Sequence, residues 1–206
     1  MSILPLCLFP NVYWWSIFLQ QQDVFIDISE NYQKQTYRNR FRILSANGPL
    51  DISVPVQSTQ GEKKSISEII VSEEFNIRGT LETIRSAYGR SAFFEFYFSD
   101  VEHMLLNARS SRLLDLNTQT FQWCLKQLKI SEVQPFSTEK FPFNIGPKDY
   151  RSAFKTATCN IEFKTYPQVF SDRFGFVNNL SIIDLLFNMG PKALDYIVLE
   201  KNGGNL

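Results

Sequence analysis

The sequence predicts an α/β fold: a mixed sheet opening with a strand–helix–strand unit and a β-hairpin, followed by a mainly helical C-terminal half. Three observations carry this expectation. Two β-rich apolar runs, residues 3–9 and 24–28, flank a helical stretch, so the strands they predict should lie parallel. Residues 38–56 alternate polar and apolar side chains about an Asn-Gly turn. From about Glu73 onward, apolar residues recur at helical spacing. The 206 residues are expected to form one domain, with residues 1–72 mainly sheet-forming and residues 73–200 mainly helical.

Taken in order, the first run ends at Pro10-Asn11, a turn signal, and residues 12–21 predict a helix with Trp14, Ile17 and Phe18 on one side. The second run suits another interior strand. Parallel sheets bind ligands at the carboxyl ends of their strands, here residues 10–14 and 27–32. Arg38, Arg40 and Arg42 alternate with Asn39, Phe41 and Ile43, which places three guanidinium groups on one strand face. Turn residues 45–49 lead into a second strand, in which Leu50, Ile52, Val54 and Val56 alternate with Asp51, Ser53 and Pro55. Residues 57–67 read as a polar loop with a mobile tip.

Leu81, Ile84 and Tyr88 share a helix face that stops near Gly89, where glycine permits a left-handed cap. The aromatic run 93–98 cannot lie in water, and Ser99-Asp100-Val101-Glu102 has the spacing of a capping box for a helix to about Ala108. Asn117 can cap the next helix, with Phe121, Cys124, Leu125 and Leu128 as its apolar stripe. Residues 129–165 show no usable pattern. Asn179 or Ser181 caps a helix through Ile182, Leu185 and Leu186 that stops at Gly190-Pro191. A last helix should span residues 192–199, and residues 202–205 should fray.

Composition excludes several functions. Lys+Arg and Asp+Glu are each 21, which leaves no charge for a broad basic face, so DNA is not an expected partner. Cys7, Cys124 and Cys159 are far apart and form no CxxC pair, the pattern of reduced thiols in a cytoplasmic protein. No Lys or Arg precedes Lys34, so the apolar start lacks the basic region of a secretory signal, and no membrane insertion is expected. His103 is the only histidine and sits within a predicted helix, with no nucleophile motif directed at it. Zinc-ligand spacing, GxxxxGK[ST] and GxGxxG are all missing, so no metal site is expected.

The candidate site begins with Lys34, Arg38, Arg40 and Arg42, four cations in nine residues without a carboxylate. A solvated face would pair them with Asp51 or other acids, at about 0–1 kcal/mol per pair. An anion site would instead use the guanidinium forks on phosphate or carboxylate, with Asn31, Gln33, Gln35 and Asn39 as neutral partners. Arg90 is either a fourth phosphate ligand or a partner of the helix dipole. Tyr166, Gln168 and Phe170 line a sugar or base pocket or pack the core. Asp184 is either a buried partner of an arginine or a surface residue. Asp27 and Glu30, at the carboxyl end of the second strand, are the candidate catalytic carboxylates.

Four blocks resemble the WbqC-like protein family: YQKQTYRNR at 32–40, SAYGRSAFFEFY at 86–97, LDLN at 114–117 and YPQVFSDRFGFVNNLSIIDLLFNMGP at 166–191. Order and spacing agree from about residue 5 to residue 197. The resemblance implies a role in bacterial polysaccharide and O-antigen biosynthesis. The implied reaction is amide formation, by glycyl or other acyl transfer, on an amino sugar or sugar nucleotide. It further implies a phosphorylated or nucleotide-linked small molecule as partner, met by Asn31, Lys34, Arg38, Asn39, Arg40, Arg42 and Arg90. The activated acyl group would come from a carrier or from ATP, and no cofactor is specified. Many members carry a His-Trp pair just before the TIxSAY segment; here Thr80 and Leu81 take its place, so no role of that histidine carries over. The rival expectation is a non-catalytic module binding a phosphorylated glycan or a protein partner, and RNA binding through residues 34–42 is a third.

Overall fold

A computed structural model describes residues 1–21, 23–59, 61–131, 135–139, 141–142, 146, 148–155 and 161–197. Ser2–Pro5 forms β1, and Val12–Gln20 forms helix α1. The helix carries the chain back so that Val24–Asp27, β2, lies parallel to β1, from Ser2↔Val24 to Pro5↔Asp27. Asn11 starts the helix by accepting the Trp14 N–H at 2.9 Å on its side-chain oxygen. β1 is shorter than the apolar run predicted: residues 6–9 are buried but lie outside the strand.

Arg40–Ser45 (β3) and Gly48–Ser53 (β4) form the hairpin, with Arg42 opposite Asp51 and only Ala46 and Asn47 left in the turn. Gly48 opens β4 at φ 103°, a left-handed conformation suited to glycine. Arg38 does not join this strand. It sits in a turn before β3, so the three arginines do not share one strand face.

Phe136–Ser137 (β5) pairs in parallel with β2, giving the sheet order β1-β2-β5. On the other side of β1, Ile3 makes a parallel bridge with Asp149. Because these pairings are all parallel, Asp27, Ser137 and the residues after Asp149 arrive at the same end of the sheet.

The helices follow. Ile77–Tyr88 (α2) buries the expected Leu81, Ile84 and Tyr88. It ends without a left-handed cap, since Gly89 is right-handed at φ −58°, ψ −12°. Phe94–Leu106 (α3) begins five residues before the predicted Ser99 cap. The aromatic run is its first turns: Phe94, Tyr97 and Phe98 face inward while Phe96 is 77% exposed. Leu113–Gln127 (α4) likewise begins ahead of Asn117, which is an interior residue rather than a cap. Its amide bridges distant chain instead, donating to the carbonyls of Arg38 (2.7 Å) and Leu6 (3.4 Å).

A four-residue helix, Ser171–Phe174 (α5), precedes Ile182–Met189 (α6), which Ser181 caps as expected. Gly190 ends α6 at φ 54°, and a Cβ there would fall 2.5 Å from the Phe93 ring. A 3-10 turn, Gly190–Lys192, then leads into Leu194–Ile197 (α7), so the last helix starts later than predicted; residues 198–206 lie outside the described set. Buried side chains from Leu4 to Ile197 form a hydrophobic cluster, in which Trp15 stacks on Phe121 at 5.5 Å. Among the described residues, no helix is long and apolar enough to cross a membrane.

Candidate functional site

A cavity of about 1010 Å³ opens at the carboxyl end of the parallel sheet. One wall is the chain leaving β2, residues 27–33, and Thr138 after β5 lies beside it. Lys63, Ser65, Ser67 and Glu68 supply a second wall, and their segment is tied to the first. Tyr32 N–H donates to the Lys64 carbonyl (2.9 Å), Ile66 N–H donates to the Glu30 carbonyl (2.9 Å), and Asn31 bridges Ser65. Leu114 and Phe141 add apolar surface.

Two arginines, in three ion pairs, make the floor. Arg38 is fully buried and donates through Nε to Glu30 Oε1 at 2.7 Å and through Nη2 to Glu30 Oε2. The same Nη2 donates to the Arg151 carbonyl at 3.0 Å. Arg151 grips Asp27 Oδ2 through Nη1 at 2.9 Å and Asp149 through Nε (2.9 Å) and Nη2 (2.7 Å). The other Asp27 oxygen accepts from the amide and hydroxyl of Ser29, both at 2.9 Å. Burial raises the Glu30 pKa, against the pull of Arg38 toward the charged form. Cys7, beyond β1, lies near this pair; burial pushes its thiol up to about 12, so it is protonated at neutral pH. Cys159 lies outside the described residues.

Of the sequence-nominated residues, Asp27, Glu30, Asn31 and Gln33 line the cavity. Arg38 stands behind Glu30. Arg40 is half-buried beside Tyr32, whose pKa is raised by burial and drawn back by the charges of Arg40 and Arg38. The Nε of Arg40 is buried without a hydrogen-bond partner, and among the described residues no carboxylate pairs with this guanidinium.

The others lie away from the cavity lining. Asn39 donates to the Val54 carbonyl at 2.8 Å and holds the hairpin. Arg42 is taken by Asp51 through two hydrogen bonds, at 2.6 and 2.8 Å. Lys34 and Arg90 are exposed, Lys34 in a turn and Arg90 beyond α2. His103 is exposed on α3 and is also absent from the lining.

Tyr166 and Gln168 pack the core rather than a pocket. They donate to Asp184 Oδ1 at 2.8 and 3.2 Å, while Tyr88 donates to Oδ2 at 2.8 Å. Asp184 is therefore neither an arginine partner nor a surface residue. Burial pushes it up to about 6, against the stabilising hydrogen bonds of Tyr166, Tyr88 and Gln168.

Sequence reasoning missed Arg151, Lys63, Ser67 and Glu68. Arg151 lies in the stretch without periodicity. Ser65 and Glu68 did carry a signal, the S-x-x-E spacing of a capping box, and they form one: Glu68 Oε2 accepts the Ser65 N–H at 2.9 Å. Among the described residues, no group of three His, Cys, Asp or Glu side chains is placed to hold a metal ion.

No curated protein and no solved structure matches the chain significantly. A family profile does, over residues 8–144 and 137–196. That match spans most of the chain, and the protein accordingly belongs to the WbqC-like protein family.

Proposed function

We propose that this protein transfers a glycyl or other acyl group to the amino group of an amino sugar or sugar nucleotide, in the cytoplasm, during bacterial surface polysaccharide biosynthesis. The family suggests a role in polysaccharide-related biosynthesis. The observation that carries the reading further is the position and lining of the cavity. It lies where parallel sheets commonly take ligands, and it mixes hydroxyl and amide groups with the apolar faces of Leu114 and Phe141, a lining that suits a sugar. Lys63 on the wall, with Arg40 behind Tyr32, supplies positive charge for a phosphate or nucleotide linkage. In this reading Asp27 and Glu30 shape the floor as neutralised carboxylates, and Arg38 and Arg151 are their counter-ions.

One observation favours the rival, a non-catalytic glycan-binding module: both floor carboxylates are already engaged by arginine. Turnover separates the two. The purified protein is incubated with nucleotide-linked amino sugars and either glycyl-tRNA or glycine with ATP and Mg²⁺, and the acceptor's mass is followed. An acceptor that gains one acyl group, and no longer does so with Ser67→Trp filling the cavity, is the expected result. Saturable binding without any mass gain would replace the transferase by the binding module.

A further inference from the structure

This inference rests on the acceptor being an amine. An amino sugar brings an ammonium group at neutral pH, and a binding site needs a carboxylate free to meet it. Asp27 and Glu30 do not qualify. They are 1% and 8% exposed, Glu30 has Arg38 on both oxygens, and Asp27 has Ser29 on one oxygen and Arg151 on the other. An ammonium placed there would also face a guanidinium.

Glu68 differs on each count. It is exposed, it lines the cavity, and among the described residues no cation pairs with it. Its position is nonetheless fixed, because Oε2 is held by the Ser65 N–H in the capping box. Lys63, on the same wall and likewise without an ion pair among the described residues, is the opposite charge available to an anionic group.

We propose that Glu68 receives the amino group of the acceptor, while Lys63 meets its phosphate or diphosphate. The site would then select a ligand carrying both charges and discriminate against the same sugar once its nitrogen is acylated. Loss of the ammonium removes the attraction to Glu68, which also favours release of the product.

The test is a calorimetric titration with two pairs of probes: glucosamine 1-phosphate against N-acetylglucosamine 1-phosphate, and UDP-glucosamine against UDP-N-acetylglucosamine. Wild type should prefer the free amine by about tenfold, the scale of one charge-assisted hydrogen bond. Glu68→Gln retains an oxygen for the Ser65 N–H, so the capping box persists; it should erase the preference while leaving the affinity for the N-acetyl forms unchanged. Lys63→Met should weaken both members of each pair equally. Equal wild-type affinity within each pair, or an unchanged preference in Glu68→Gln, overturns the assignment of Glu68 and leaves the cavity as the sugar site. Failure of all four probes to bind overturns that reading as well.

Discussion

The protein buries carboxylates in two places by opposite means. At the sheet end, Glu30 and Asp27 are matched by Arg38 and Arg151, with distances of 2.7 and 2.9 Å from guanidinium to carboxylate. Between α2 and α6, Asp184 is fully buried and is met by two tyrosine hydroxyls and a glutamine amide. Counter-ions offset the cost of burial in the first region, so removing either partner strands a buried charge. Neutral donors leave the second with a carboxylate that titrates near neutrality. The difference separates roles: the paired charges border the cavity, whereas the Asp184 cluster ties Leu44 of β3, through Tyr88, to α6.

Removing one member of a matched pair should have the largest effect on stability. Arg38→Met leaves Glu30 buried and uncompensated, an expected loss of about 3–5 kcal/mol in urea unfolding. Adding Glu30→Gln should recover much of it, because the stranded charge is then gone. If the double variant were no more stable than the single one, Arg38 would matter for packing rather than pairing.

A smaller effect, with a definite sign, is expected at Asp184. Its pKa rises from 3.8 to about 6 on folding, so the folded chain binds the proton more tightly than the unfolded chain. The stability associated with protonation is present below pH 4 and is lost as pH rises through 6. Wild type should therefore gain on the order of 3 kcal/mol relative to Asp184→Asn between pH 7 and pH 4. Parallel pH–stability curves for the two proteins would show that the cluster does not titrate in that range.

Elements with a repeat were legible in the sequence. The strand–helix–strand opening and the hairpin follow from alternation and turn residues; the carboxyl-end rule pointed to residues 10–14 and 27–32, of which all of 27–32 and none of 10–14 line the cavity. What stayed hidden depends on contacts between distant residues. Asn117 has the local chemistry of a cap, but its amide serves carbonyls 79 and 111 residues away. Arg38 fits the alternation of a strand, yet its turn points it at Glu30, eight residues earlier. Arg151 enters through the Ile3–Asp149 bridge, a pairing with no periodic trace.

We propose that the sheet-end cavity binds ligand, with the Asp184 cluster only holding the fold. A thermal-shift titration at pH 7.5 with nucleotide-linked amino sugars tests it most directly, comparing wild type, Ser67→Trp and Asp184→Asn. A saturable rise in Tm is expected in wild type and Asp184→Asn, and none in Ser67→Trp. A rise that survives in Ser67→Trp, or that vanishes only in Asp184→Asn, would contradict it.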